Sequence, residues 1–203
     1  FTHSRAALWI MIAWYGALGV FASLRTPLYQ GADEGWHYAY VEHYALDRGL
    51  PNLNAHFLSG DPSAPYWQTH EASQAPLYYM LSSLITRWVP RGDLMQEQVL
   101  EGDVPNGMYG NFLPADTGTL GAGHTLAGKL VRLLTVGFGI AVIACGYFIA
   151  HLATNRPDVA FLTAALLALN PRMIVLGAAV SNDMPMAAAA AVALLLITRY
   201  VTL

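Results

Sequence analysis

Charged residues are scarce in this sequence. Asp, Glu, Lys and Arg make up 11% of the 203 residues, whereas apolar residues make up 55%. A soluble domain carries about 25% charged residues, because its surface faces water. Most of the surface of this chain must therefore face something else, and the composition predicts a membrane protein.

Other features are absent as well. The single cysteine, Cys145, has no second cysteine to pair with, so an internal disulfide is excluded. The formal net charge is -3 and no basic stripe occurs, so we expect no nucleic-acid partner. The sequence contains no P-loop and no dinucleotide fingerprint, and no cofactor is expected.

Long apolar runs are abundant, and a helix that spans a bilayer needs about 20 mostly apolar residues. Asn170-Pro171 interrupts the third run, so we expect a kink or break there, because proline removes a helix hydrogen bond. The predicted spans are residues 6–25, 128–153, 158–180 and 184–203. The predicted fold class is therefore all-α: a polytopic helical membrane protein, with residues 1–203 forming a single membrane domain that we expect to belong to a longer protein.

Two shorter helices are predicted between the first two spans, over residues 32–48 and 74–88. The second is too short to span, so we expect it to lie along the membrane interface. Its apolar positions, which recur at helical spacing, are Leu77, Leu81, Leu84 and Trp88.

The arginines beside the spans set the predicted topology, because cytoplasmic loops are enriched in positive charge. If the short helix does not span, Arg5, Arg156 and Arg199 are all cytoplasmic, and residues 26–127 form one extracytoplasmic loop. If it did span, the acidic stretch 91–127 would lie inside with a single arginine. We adopt the first arrangement.

Two carboxylates and an imidazole stand at the start of the first short helix. Asp33 and His37 are four residues apart and Glu34 and His37 are three apart, so all three share one helix edge. The simplest interpretation is structural: Asp33 caps the helix and Glu34 lies near its positive end. The aromatic residues nearby are interpreted as a membrane-interface belt, formed by Trp36, Tyr38, Tyr40 and Tyr44.

The order of the motifs favours a catalytic interpretation of the same residues. The first span is followed by Asp33-Glu-Gly-Trp-His-Tyr, then by Gly-Leu-Pro, then by Gln74-Ala-Pro-Leu-Tyr-Tyr. Arg132 opens the next span, and Ser-Asn-Asp183 precedes the last one. This arrangement resembles the N-terminal part of the C-type membrane glycosyltransferases (GT-C fold), which include protein O-mannosyltransferases, lipid A aminoarabinose transferases and many bacterial members.

The resemblance implies an enzyme of a bacterial plasma (inner) membrane. Such an enzyme transfers a sugar from a polyprenyl-phosphate donor to an extracytoplasmic hydroxyl or amine. The resemblance also implies that Asp33 is the catalytic carboxylate and that Glu34 is its neighbour in an acidic pair. The candidate substrate-binding residues are His37, Glu71, Gln74, Arg132 and Asp183.

Structural alternatives stay open for several of these residues. Arg132, which the resemblance places near the donor phosphate, is equally suited to anchoring a helix at the interface. Asp183 is suited to capping the last helix. A divalent metal held by Asp33, His37 or Glu71 is a further hypothesis, although the spacing is unlike that of a compact metal motif.

Two other functions compete with the enzyme. A non-catalytic accessory or structural subunit of a larger membrane complex could keep the same scaffold, with other membrane subunits as partners. A transporter would need polar residues near the middle of the membrane, and apart from Asn170 and Arg172 the predicted spans offer few.

Overall fold

The structure, a computed structural model, describes residues 2–31, 33–51, 73–92 and 123–202. Regular structure in these ranges is entirely α-helical, and they contain no strand. The helices are α1 (Thr2–Arg25), α2 (Glu34–Ala45), α3 (Leu77–Thr86), α4 (Gly123–Thr154), α5 (Pro157–Ala168), α6 (Pro171–Gly177) and α7 (Asp183–Thr202). The predicted all-α fold class is confirmed.

Three of these helices, α1, α4 and α7, are long and apolar enough to cross a membrane. The pair α5 and α6 qualifies as a fourth span when taken together, and the two helices meet at a bend of 58°. At the bend, the Asn170 side chain accepts a hydrogen bond from Arg172 N, and Pro171 begins α6. The predicted break at Asn170-Pro171 is confirmed, and the chain has the helices of an integral membrane protein.

The chain divides into two compact units, Phe1–Arg25 with Arg132–Leu203, and Thr26–Val131. The first unit contains all the spanning segments apart from the start of α4. The second contains α2 and α3. The prediction of a single membrane domain stays a prediction.

Small residues bring the helices of the first unit close together. Helix α1 packs against α5 and α6, and α5 presents alanines four residues apart to the core. A Cβ at Gly19 of α1 would lie 3.0 Å from Val136 of α4, so the two backbones approach closely there. The buried core is formed by Leu8, Tyr15, Val136, Ile143, Tyr147, Ala160, Ala164 and Ala168.

Helix α2 of the second unit is buried along nearly its whole length and packs against α3. Trp36, Tyr38 and Tyr40 are 8%, 0% and 1% exposed. The interpretation of these aromatic residues as a membrane-interface belt is therefore wrong. They pack within the second unit, where their rings contribute buried area rather than contact with lipid headgroups.

Helix α3 has the opposite pattern to a soluble helix. Its buried face is largely polar, and its exposed face is apolar. The buried residues are Tyr78, Tyr79, Ser82, Ser83 and Thr86. The large exposed apolar residues of α3 and its C-terminal extension are Leu77, Met80, Leu81, Leu84, Ile85 and Trp88. The prediction that this segment lies along the membrane interface stays a prediction, and the exposed apolar face suits such a position.

Candidate functional site

The short link between α1 and α2 ends in an unusual backbone conformation at Asp33. Asp33 occupies the N-cap position of α2 with φ 56° and ψ 8°, in the left-handed region. Left-handed backbone costs a residue other than glycine free energy, of the order of 1–3 kcal/mol, and such residues cluster at functional sites. A second left-handed residue, Tyr29, lies four positions earlier in the same link.

The carboxylate of Asp33 does not cap α2. The residue is exposed, and its side chain makes no capping hydrogen bond. Its backbone carbonyl instead accepts hydrogen bonds from the N–H groups of Trp36 (3.0 Å) and His37 (3.1 Å). The structural interpretation, in which the Asp33 side chain caps α2, is therefore wrong. The Asp33 carboxylate is therefore exposed at the start of α2 and makes no capping hydrogen bond to that helix.

Glu34, in contrast, is fully buried at 0% exposure. Its Oε2 accepts a hydrogen bond from Gly31 N at 3.3 Å, and Glu34 N donates to Gly31 O at 3.3 Å. These two bonds close the turn that leads into α2, much as a capping-box glutamate reaches back to the chain before its helix. Glu34 thereby helps to hold Asp33 in place.

A chain of three polar side chains links α2 to α3. His37 Nδ1 lies 2.8 Å from the Tyr79 hydroxyl, and that hydroxyl donates to Gln74 Oε1 at 3.0 Å. The rings of His37 and Tyr79 stack with their centroids 5.9 Å apart. The structure thus brings together two of the predicted site residues, His37 and Gln74. It also adds Tyr79, to which the sequence analysis gave no role.

A second polar cluster lies farther along α2. His124 Nδ1, at the start of α4, lies 3.4 Å from Glu42 Oε2 and 3.3 Å from the Tyr38 hydroxyl. Tyr38 and Glu42 are four residues apart on α2, a spacing that the sequence displays. Their partner is 82 positions beyond Glu42, and nothing in the sequence pattern identifies it.

Burial perturbs two titratable groups near these clusters. Burial raises the pKa of the Tyr40 hydroxyl, and the neighbouring hydroxyl of Tyr44, at 3.2 Å, raises it further. Burial also lowers the pKa of His43, with a further contribution from the charge of Arg48 and an opposing one from a backbone hydrogen bond with Gly49. Both effects favour the neutral forms and keep α2 free of charge at these positions.

Arg132 lies in the other unit and is buried, at 1% exposure. Its Nη1 donates to the backbone carbonyl of Ser23 at 3.1 Å. Ser23 lies in the last turn of α1, where carbonyl groups lack helical partners, so the guanidinium stabilises the C-terminal end of that helix. This contact gives Arg132 a structural role inside the first unit, which differs from the predicted anchor that reaches out to the membrane interface.

The remaining candidates stand apart from these clusters. Asp183 is exposed and is the first residue of α7, and Ser181 Oγ accepts a hydrogen bond from its backbone N–H at 3.1 Å. Glu71 lies outside the described residues. Within the described ranges, no three His, Cys, Asp or Glu side chains are grouped so that they could hold a metal ion.

The structure thus places Asp33, Glu34, His37 and Gln74 in the second unit, and Arg132 and Asp183 in the first. That Asp33, Glu34 and Arg132 converge on one cavity stays a prediction. Comparison with protein-family models gives no match. Comparisons with curated proteins and with solved structures give no significant match. The resemblance to the C-type glycosyltransferases therefore rests on the order and placement of the motifs.

Proposed function

We propose that this chain carries the catalytic carboxylate of an integral membrane glycosyltransferase. The enzyme takes a sugar from a polyprenyl-phosphate donor and transfers it to an acceptor hydroxyl or amine. The reaction takes place on the extracytoplasmic face of a bacterial plasma membrane, where the loop of residues 26–127 lies. The single observation that carries the proposal is the state of Asp33. It is an exposed carboxylate on a left-handed backbone, and it makes no capping bond.

The chemistry follows from the needs of the reaction. An acceptor hydroxyl is a weak nucleophile at neutral pH, and a carboxylate within hydrogen-bond reach takes its proton as the new C–O bond forms. The bond between the sugar C1 and the phosphate oxygen breaks at the same time. Attack opposite the phosphate inverts the configuration at C1. Asp33 is assigned the role of this base.

The leaving group is a polyprenyl phosphate, whose negative charge needs a cation. Arginine matches phosphate oxygens with paired N–H donors, and we assign this role to Arg132. Its bond to Ser23 O fixes the guanidinium at the end of α1. The polyprenyl tail stays in the bilayer throughout. This suits a catalytic residue that follows the first span after only a short link.

Substitution of Asp33 by Asn tests the proposal. The amide keeps the shape of the side chain and tolerates left-handed backbone, but it cannot accept the proton. We expect transfer to fall by about 10²–10⁴-fold, with little change in thermal stability because no capping bond is lost. The assay follows labelled sugar from a panel of polyprenyl-phosphate sugars into the protein and lipid acceptors of a membrane extract.

Asp47→Asn is the matched control. Asp47 lies just after α2, is exposed, and also has left-handed backbone, with φ 54°. The same chemical change there should leave transfer unaltered. Wild-type activity in the Asp33→Asn variant refutes Asp33 as the base, and an equal loss in both variants shows a nonspecific effect.

The accessory-subunit alternative is favoured by a different observation. Glu34 and Arg132 both serve the scaffold, through Gly31 N and Ser23 O respectively. A chain that kept these contacts without catalysing transfer would look the same at both residues. Absence of transfer by the wild-type chain across the whole donor panel favours this alternative.

A further inference from the structure

The exposed face of α3 is a continuous apolar surface. Six large apolar side chains of this helix and its C-terminal extension are between 36% and 67% exposed. They recur at intervals of three and four residues, so they lie on one side of the helix, opposite the buried face. This surface, the α3 stripe, is formed by Leu77, Met80, Leu81, Leu84, Ile85 and Trp88. Exposed apolar surface of this kind marks contact with a membrane or with another protein.

Two arginines stand at the C-terminal end of the α3 stripe. Arg87 is the C-cap residue of α3, is exposed, and follows Leu84 by three residues, so the two are neighbours on the helix surface. Arg91 donates two hydrogen bonds from Nη1, to Thr86 O at 2.6 Å and to Val89 O at 3.1 Å. These bonds hold its guanidinium against the last carbonyl groups of the helix. One arginine is thus fixed at the end of the stripe, and the other is exposed beside it.

Positive charge is concentrated at this place in an otherwise acidic loop. Residues 26–127 contain eleven Asp and Glu but only three basic residues, the arginines at 48, 87 and 91. The described residues 73–92 contain two of these arginines and no acidic residue. The two hydrogen bonds of Arg91 go to carbonyl oxygens, which leave its net charge in place. The end of the α3 stripe is therefore suited to attract anions.

We propose that the α3 stripe and the two arginines form a docking surface for anionic phospholipids. The stripe enters the boundary of the acyl chains, while Arg87 and Arg91 bind the phosphates of the headgroups. Trp88, which is 65% exposed between them in the sequence, suits the boundary between headgroups and acyl chains. The inference goes beyond the interfacial position expected from the sequence, because it assigns the charge of the headgroup. It does not depend on the proposed glycosyl transfer.

The rest of the chain favours lipid over a protein partner. The second unit directly follows α1 and ends inside α4, so both of its ends are continuous with helices that are long and apolar enough to span. Under the adopted topology, α3 is extracytoplasmic, where the positive-inside rule gives no reason to keep arginines. Attraction to anionic headgroups supplies such a reason. Helix α2 packs against α3, so anchoring of α3 would also hold α2 near the headgroups.

The lipid composition around α3 tests the proposal. In a Cys145→Ser background, Leu84→Cys provides a single cysteine on the stripe for a fluorescent label. The full labelled chain is placed in bilayer nanodiscs of phosphatidylcholine and phosphatidylglycerol. Bromine atoms on the acyl chains quench only a nearby label, and they are carried by one lipid or by the other at the same mole fraction. We expect stronger quenching by brominated phosphatidylglycerol, because it should be enriched about fivefold by each arginine.

Substitutions of the arginines separate charge from apolar contact. Arg87→Gln should lower the enrichment about fivefold, and the double variant with Arg91→Gln should abolish it while both lipids still quench the label. Arg91→Lys changes the guanidinium but keeps the charge, so it should keep most of the enrichment. Arg48→Gln is the matched control, because Arg48 is exposed in the same unit just after α2. This control should show the enrichment of the wild type.

Three outcomes would overturn the proposal. Equal quenching of the wild type by the two brominated lipids would show that the stripe does not select anionic headgroups. Absence of quenching by either lipid would show that the stripe is covered by protein instead of lipid. An equal loss of enrichment in Arg87→Gln and Arg48→Gln would show an effect of net charge alone. Because the measurement needs no sugar transfer, it decides the proposal whether or not the chain is a glycosyltransferase.

Discussion

Tyr15 packs between two glycines of the first unit, and we predict that substitutions at these three positions will be coupled in their effect on stability. Tyr15 lies in α1, is 0% exposed, and its hydroxyl donates to Met173 O of α6 at 3.1 Å. A Cβ at either Gly139 of α4 or Gly177 of α6 would overlap the hydroxyl oxygen. The tyrosine therefore holds the short helix that follows the break, and the two glycines make room for it.

The two glycines differ in which other atoms of Tyr15 an added Cβ would meet, apart from the hydroxyl oxygen. A Cβ at Gly139 would also lie 2.6 Å from Cζ and 2.8 Å from Cε1 of Tyr15, so it meets the ring itself. A Cβ at Gly177 would lie 3.2 Å from Cζ, a tight but tolerable contact. Removal of the hydroxyl should therefore relieve the clash at Gly177 and leave the clash at Gly139.

The expected magnitudes follow from these distances. Overpacking of this kind costs about 1–3 kcal/mol, partly offset by the higher helix propensity of alanine, worth up to about 1 kcal/mol. Tyr15→Phe alone should cost about 1 kcal/mol through the lost bond to Met173 O. Combined with Gly177→Ala, it should cost less than the sum of the two single changes, with a coupling of about 1–2 kcal/mol. Combined with Gly139→Ala, it should show little or no such rescue.

The assay is reversible unfolding of the purified chain in mixed detergent micelles, with melting temperature as a second readout. Gly137→Ala is the control, since Gly137 is in the same helix and a Cβ there meets nothing within 4 Å. That variant should be at least as stable as the wild type. Equal rescue of both alanine variants by Tyr15→Phe, or rescue of Gly139→Ala alone, would refute the packing described here.

Two further predictions concern α2 and the topology. Burial lowers the pKa of His43 in the folded chain, so its contribution to stability is complete above the ordinary value of about 6.5 and is lost as pH falls from there through the lowered pKa. His43→Gln should therefore flatten the decline in melting temperature on acidification, and an unchanged decline contradicts this. In a Cys145→Ser background, Asp47→Cys in intact cells should react with an impermeant thiol reagent, and Arg156→Cys only after permeabilisation. The reverse pattern contradicts the predicted topology.

The spans were predictable because each depends on local composition. Apolar runs of sufficient length predicted α1, α4 and α7 within a few residues, and proline chemistry predicted the break before α6. Their ends differ from the predictions by up to about five residues, since capping and fraying decide the last turn. The same local signals predicted that α2 and α3 exist.

The environment of α2 was not predictable, because it depends on distant partners. Tyr38 and Tyr40 have the composition of an interface belt, yet they are buried. Polar contacts behave in the same way: the Glu42–His124 pair and the His37–Tyr79 contact each join segments far apart in the chain. The sequence suggested which residue types matter and left their pairing open. Of its two interpretations of Asp33, only the side-chain cap fails, because the residue has left-handed backbone and its side chain makes no capping bond.

Helix α3 carries an exposed apolar face on one side and contacts the polar chain of the second unit on the other. Leu77, Leu81 and Leu84 are exposed, while Tyr79 on the opposite face is fully buried and contacts His37. A water-facing helix with this distribution would expose apolar area and bury hydroxyls at a free-energy cost, whereas contact with lipid reverses the sign for the apolar face. A polyprenyl-phosphate sugar has the same division, with a tail that stays in lipid and a sugar that must reach polar groups. The proposed enzyme would need an element that borders both environments, and the apolar and polar faces of α3 make it the candidate for that element.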